Sequence, residues 1–409
     1  MHIVERFLGY TRINTTTNQE QGSLGIMPSS DGQYKLATLV KCQLESLGCI
    51  DITLHDNAIL NATLASNSNK NLPTIAFFGH LDTSSECTAD THAKIVQYNG
   101  GDISLSENIT LSLQQFPELA HYTGQEIIVT DGTSLLGADD KAAIAAILNA
   151  LQFFQDNPQI EHGKVQIVFL PDEEQGLLGA KEFNVKELNA DFAYTIDAGP
   201  IGEFIYENWN AGNAVVTFTG QSAHPMNAKG KLVNALLLAN TFITQFPSEE
   251  RPECTDARQG YYWMKKMVGN SAKTVLNIDI RDFTEDGYKQ RNEYVRKQVE
   301  IFNQNNNDRA HLTLTDRYSN VLNFLKNSTL PIDLAISAYK DNNINPNIVA
   351  MRGGYDGAVL SQKGLPCPNL FTGAHNFHSI FEYLPVPSLI AASNVVQSII
   401  MNLTAHERV

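Results

Sequence analysis

Three short apolar runs dominate the first half of this chain, and each ends on residues that hold cations or protons. Residues 74–78 stop at Gly79-His80, Val165–Leu170 runs into Pro171-Asp172-Glu173-Glu174, and residues 192–196 run into Asp197. A run that is apolar almost throughout, and does not alternate, is what a strand covered on both faces requires. Between these runs lies helical spacing. Residues 138–155 put Ile144, Ile147, Leu148, Leu151 and Phe154 on one face, and residues 34–48 do the same with Leu36, Leu39, Val40, Leu44 and Leu47 before Gly48. Two further β-like runs lie at 50–54 and 59–64. Strands alternating with helices predict an α/β domain with a mostly parallel mixed sheet. In sheets of that kind the ligand crevice lies beyond the carboxyl ends of the strands.

The pattern changes after Trp209. Residues 214–219 alternate as a strand, 232–246 read as a helix, 261–268 and 274–282 as strands, 288–302 as a helix and 311–315 as a strand. The order β-α-β-β-α-β predicts an inserted α+β, ferredoxin-like lid or dimerisation domain at 209–318. Residues 1–208 and 319–409 then form one discontinuous catalytic domain, closed by an amphipathic helix at 387–403. A chain of 409 residues is longer than one core usually serves, which agrees with two domains.

Composition narrows the partners. Lys plus Arg total 29 against 44 for Asp plus Glu, a formal net charge of −15, which argues against nucleic acid or an anionic membrane. The five cysteines, Cys42, Cys49, Cys87, Cys254 and Cys367, are odd in number and form no C-x-x-C pair, as expected of reduced thiols in a cytoplasmic protein. The first residues lack the pattern of a secretory signal, and no apolar stretch reads as a membrane span. Sequons at Asn14, Asn61, Asn108, Asn327 and Asn402 then read as chance matches in an Asn-rich chain.

The residues that carry chemistry sit where the strands end. His80 and Asp82 follow the first run, Glu173 and Glu174 the second, and Asp197 the third; Asp139 opens a helix in Gly137-Ala138-Asp139-Asp140-Lys141, and His378 lies near the C-terminus. A His-x-Asp pair is ordinary in a loop, two adjacent glutamates are ordinary on a surface, and acidic residues favour helix starts anyway. The arrangement carries the signal, because five separate segments would deliver imidazoles and carboxylates to one edge. Such donors suit Zn²⁺, and two ions bridged by a carboxylate would lie about 3.5–4 Å apart. Asp82 is placed to hydrogen-bond His80 and fix its tautomer. Of the two adjacent glutamates, one can bind metal while the other moves protons.

Taken together, Gly79-His80-Leu81-Asp82, Gly137-Ala138-Asp139-Asp140-Lys141 and Glu173-Glu174 resemble the co-catalytic dizinc aminopeptidase, carboxypeptidase and aminoacylase family. Longer blocks, among them Ala193-Tyr194-Thr195-Ile196-Asp197 and Arg352-Gly353-Gly354-Tyr355-Asp356-Gly357-Ala358, look like its tripeptide aminopeptidases, and the similarity runs end to end. The resemblance implies a zinc-exopeptidase-like fold, two Zn²⁺ per subunit and a short peptide substrate. It implies that Asp139 bridges the metals, that His80 and Asp197 complete one site, and that Glu174 and His378 complete the other. Glu173 would be general base and acid, and Asp82 would orient His80. His224 would reach an active site from the inserted domain, often across a homodimer, and Arg281 and Arg352 would bind the substrate carboxylate. Two departures stand out. His375 is a second candidate for the last ligand, and Ala143 replaces a glycine common in the family. A dipeptidase, carboxypeptidase or N-acyl amino acid amidohydrolase on the same site, or a non-catalytic peptide-binding relative, are the alternative readings.

Overall fold

The computed structural model describes residues 1–87, 89–326 and 328–408; the Asn327 sequon lies outside them. The chain divides into two compact units. One comprises Met1–Tyr206, Phe324–Val349 and Tyr355–Val409, the other Glu207–Asn323 and Ala350–Gly354. The second unit therefore begins before and ends after the expected 209–318. It also takes Ala350–Gly354, which the sequence reading left in the catalytic domain. The cause is packing: Ala350 rests on the Trp209, Ala211 and Phe283 cluster, and the Arg352 guanidinium lies 4.9 Å from the centre of the Trp209 ring.

The first unit is built on a sheet of eight described strands in the order Ile50–Leu54, Leu60–Leu64, Val165–Leu170, Ile75–His80, Phe192–Ala198, Asn369–Phe371, Glu203–Asn208 and Asn347–Met351. The four strands from Val165–Leu170 to Asn369–Phe371 are mutually parallel, with antiparallel neighbours on both sides. Every residue of Val165–Leu170 and of Ile75–His80 is buried, which is why these runs are apolar without alternation. Helix Ala138–Asp156 lies against Ile75–His80 and against the closing helix Val386–Asn402. Phe77, Ile167, Phe169, Ile196, Leu148 and Val395 meet in one core, each worth roughly 1.5–3 kcal/mol of burial.

One close approach sets the distance between sheet and helix. A Cβ on Gly79 would lie 3.1 Å from the Ala143 Cβ and 3.1 Å from Asp140 Oδ2. A side chain at position 79 would have to push back Ala143 or the Asp140 carboxylate, so glycine suits the meeting of the strand that carries His80 and the helix that carries Asp139. Ala143 fills the helix side of that contact.

The expectation of no membrane span has one helix to account for. Val386–Ala405 is a continuous 20-residue helical stretch long and apolar enough to pass as a span. Leu389, Ala392, Val395, Val396 and Ile399 are buried in the protein core, so the helix is apolar because a core helix must be. A three-stranded sheet of Leu384–Pro385, Glu126–Val129 and Lys94–Gln97 was also not anticipated; its strands have only two to four residues.

The second unit is a four-stranded antiparallel sheet in the order Tyr261–Gly269, Lys273–Asp282, Asn210–Thr219 and Ala310–Tyr318, with helices Ala235–Ile243 and Glu285–Asn306. Val216, Phe218, Phe242, Leu276, Ile278 and Phe302 form its separate core. The first helix is shorter than the expected 232–246. Asn234 caps it by accepting from Leu236 N at 3.0 Å, and Val233 is held in a bridge to Gln221.

Candidate active site

Strand ends and one helix start bring the site together within the first unit. His80 is the last residue of Ile75–His80, and its Nε2 lies 2.8 Å from Asp139 Oδ1. The His80 backbone N–H donates to Asp140 Oδ2 at 2.9 Å, tying the strand end to the helix start. His378 approaches from the C-terminal segment, its Nε2 3.2 Å from Asp139 Oδ2 and 2.7 Å from Glu174 Oε1. Two donor groups result: His80, Asp139 and Asp197, and Asp139, Glu174 and His378. In each, one ligand atom per residue lies within 4.8 Å of the others, and Asp139 belongs to both.

Asp82 does more than the sequence suggested. Its Oδ1 is 3.3 Å from His80 Nδ1, and its backbone carbonyl oxygen is 3.1 Å from the same nitrogen. Its two carboxylate oxygens also accept from Glu173 N and Glu174 N, each at 3.0 Å. One fully buried carboxylate thus joins the histidine strand to the glutamate turn. The same turn is held from the other side by Asp172, whose φ is +55°. Asp172 Oδ2 accepts from Ser29 N at 2.7 Å, Oδ1 accepts from Gln33 Nε2 at 2.7 Å, and Gln33 Oε1 accepts from Asp172 N at 3.0 Å.

His375 is not part of either group. It is buried, its Nε2 sits 2.6 Å from the Tyr122 hydroxyl, and its ring stacks on Tyr383 at 4.6 Å. Burial lowers its pKa to about 4, so it is a neutral ring in an aromatic frame.

The electrostatics of the site are those of too many buried carboxylates. Burial drives Glu173 and Asp197 well above the usual carboxylate range, and raises Glu174 to about 7 despite the nearby histidines. Asp356, at the start of helix Asp356–Gln362, is also pushed by burial to about 7, and its Oδ1 has no hydrogen-bond partner. Contact with Asp139 and Glu174 raises His378 to about 11. Asp139 itself is held low by His378 and His80 although burial opposes this.

These donors fit divalent cations. Glu174 Oε1 is buried and only 2.7 Å from His378 Nε2, yet it makes no aligned hydrogen bond. A nitrogen and an oxygen drawn this close, with Asp139 beside them, are placed to converge on an ion. Imidazoles and carboxylates are the ligand types that zinc and similar metals accept.

The remaining candidates lie in the second unit. His224 is exposed, and its Nδ1 accepts from Met226 N at 3.2 Å. Arg281 is buried; it donates to Gly212 O and Ile280 O at 3.1 Å, contacts Asp279 Oδ2 at 3.2 Å, and lies over Tyr318. Arg352 is exposed and donates to Ala257 O at 3.0 Å and Thr255 Oγ1 at 3.0 Å.

Sequence reasoning passed over Asp140, Asp172, Gln33, Ser29 and Glu382. Asp140 stood inside a motif already singled out, and an acidic residue beside a ligand was a usable signal. Asp172 likewise stood in the quoted run Pro171-Asp172-Glu173-Glu174, whereas Ser29, Gln33 and Glu382 lie in segments with no local mark.

A two-donor-group site at the carboxyl edge of a parallel sheet defines a class. The chain belongs to peptidase family M20/M25/M40, whose profile matches residues 134–402. It is 42% identical over 403 residues to peptidase T of Parabacteroides distasonis, covering 98% of each chain. That relationship makes it a member of the peptidase T family within the larger one. Among solved structures it is similar in fold to an aminopeptidase PepT from Bacillus cereus, with a TM-score of 0.77, 19% identity and 98% of each chain covered. It is also similar to a tripeptidase from Staphylococcus aureus, with a TM-score of 0.74, 23% identity, and 99% of this chain and 98% of that one covered.

Proposed function

We propose that this protein is a dizinc aminopeptidase that removes the N-terminal residue from short peptides, tripeptides above all. One observation carries the reading: Asp139 is shared by two donor groups, while Glu173 stands beside them and belongs to neither. The 42% identity to peptidase T supports a peptide substrate, and the likeness in fold to a Staphylococcus aureus tripeptidase favours its length.

In this proposal His80, Asp139 and Asp197 hold one Zn²⁺, and Asp139, Glu174 and His378 hold the other. The bound ions would supply Lewis acidity and lower the pKa of water toward 7. Glu173 takes the proton from the attacking water as its oxygen bonds to the carbonyl carbon. The C–N bond then breaks, and Glu173 passes the proton to the leaving amine. Asp82 keeps Glu173 in place through the backbone N–H it accepts. His224 donates to the oxygen that gains charge, an effect of about 3–4 kcal/mol for one good donor. Arg352 and Arg281 bind the free C-terminal carboxylate and so measure peptide length. Their guanidiniums are already braced, on Trp209 and Asp279 respectively, which lowers the entropy lost on binding.

The same reading places the protein in the cytoplasm as a homodimer. All five cysteines are free, in keeping with a reducing compartment. The edge strand Tyr261–Gly269 exposes Trp263, Met267 and Val268, a surface suited to a second copy.

A panel of free tripeptides, dipeptides, N-acetylated tripeptides and C-terminally amidated tripeptides tests the activity. Free tripeptides should be cleaved fastest, amidation should raise KM, and acetylation should abolish turnover. Efficient cleavage of the acetylated peptides would replace this reading with an N-acyl amidohydrolase or a carboxypeptidase.

A further inference from the structure

The loop that carries His378 is a closed frame. His375 and Tyr383 form a two-way backbone bridge at its base, with N to O distances of 2.9 and 3.2 Å. Inside it, Asn376 Nδ2 donates to Phe381 O at 3.1 Å, and Glu382 N donates to Ser379 O at 3.0 Å. His378 stands in the middle of this frame. Glu382 stands at its end and is only 2% exposed.

Glu382 directs both of its oxygens to the opposite segment. Oε2 accepts from Gly137 N at 2.8 Å, and Oε1 accepts from Asp139 N at 3.1 Å. These N–H groups begin helix Ala138–Asp156, whose capping residue is Gly137 with φ +72° and no side chain to offer. Helix starts leave such N–H groups without partners and favour an anion there. The cap comes instead from a residue more than 240 positions away. The helix start it caps is the one that holds the donor shared by both groups.

We infer that Glu382 is a positioning residue for the metal pair: it clamps the Asp139 backbone to the loop that delivers His378, fixing the spacing of the two donor groups. This inference rests on the dinuclear reading above. The packing of helix Ala138–Asp156 on Val386–Asn402 brings the two segments near one another, and the Glu382 bonds fix the Asp139 backbone itself against the loop. A site of this kind needs its donors held to within about 0.5 Å. One carboxylate that grips both segments provides this. A residue that only capped a helix would stabilise the fold and leave metal affinity alone.

The test is calorimetric titration of the metal-free protein with Zn²⁺, alongside melting curves. The wild type should take two ions. Glu382→Gln keeps the volume and one acceptor, so it should fold. It should bind at least one ion 10–100-fold more weakly, the usual cost of removing an outer partner of a ligand. It should also lower kcat at saturating metal with KM little changed. Glu382→Ala should weaken binding further. Thr284→Ala is the control. It removes the cap of helix Glu285–Asn306 in the second unit and should lower Tm without altering either affinity. If Glu382→Gln lowers Tm and leaves both affinities within twofold of wild type, the residue is a cap only and the inference is overturned. If the wild type itself binds fewer than two ions, the dinuclear reading fails, which is a separate result.

Discussion

Glu173 and Glu174 are neighbours of identical chemistry, and their surroundings give them different work. Both backbones are held by Asp82, but only Glu174 closes on His378 and joins a donor group. Glu173→Gln should therefore still bind two ions while kcat falls by a factor of about 10²–10⁴, the range for losing a general base. Metal content and steady-state kinetics measured together check this, and near-normal turnover would sink the role. The same residues set a pH dependence. Glu174, Asp356 and Glu382 have folded pKa values near 7, above their unfolded ones, so the native state holds extra protons as pH rises from about 4.5 to 7. His378, raised to about 11, continues the trend above its unfolded value. Both effects remove stability as pH increases. The Tm of the metal-free protein should be higher at pH 5.5 than at pH 8. Zn²⁺ should flatten or reverse that slope, because ligands must lose protons to bind. A metal-free Tm that climbs from pH 5.5 to 8 would contradict the picture of uncompensated buried carboxylates.

At the scale of elements, the contact between Ile75–His80 and Ala138–Asp156 is where fold and site meet. Gly79→Ala would drive a methyl against Ala143 and Asp140, at a cost of roughly 1–3 kcal/mol for overpacking. It should also disturb the bond from His80 N to Asp140. Adding Ala143→Gly should restore much of the stability, since the two methyls compete for one space. Denaturant melts of the two single variants and the double variant measure this coupling, and simple additivity would show that the approach is not the constraint. The sequence reading found these elements well. Val165–Leu170 and Ile50–Leu54 have the expected bounds, because full burial and turn residues mark them locally. It missed the strand Asn347–Met351 and the three-stranded sheet, which are short and owe their pairing to partners elsewhere.

At the scale of the whole molecule, two separate cores serve two kinds of task. The donor groups lie in the first unit, and the proposed substrate cations and His224 lie in the second. The edge strand with Trp263, Met267 and Val268 exposed is the place where a second copy would add. Sedimentation velocity at micromolar concentration should show a dimer, and Val268→Lys should shift it toward monomer with its secondary structure intact. A wild-type monomer at that concentration would remove the dimer from the proposal.

By itself the sequence determined the alternation of strand and helix, the inserted β-α-β-β-α-β order, and the residues that would meet at the strand ends. These are readable because burial period, turn chemistry and residue type are local properties. His80, Asp139, Glu174, Asp197 and His378 do meet in two overlapping groups. The resemblance already favoured His378 over His375, and the tertiary structure supplied the physical reason, because Tyr122 and Tyr383 enclose the other ring. Only it showed Asp82 gripping the glutamate turn, Asp172 tied to Ser29 and Gln33, and Glu382 capping the Asp139 helix. Each of these bonds joins segments about 90 to 245 residues apart. A donor and an acceptor that far apart leave no pattern in the chain. Their pairing exists only once burial has removed the water that would otherwise satisfy them.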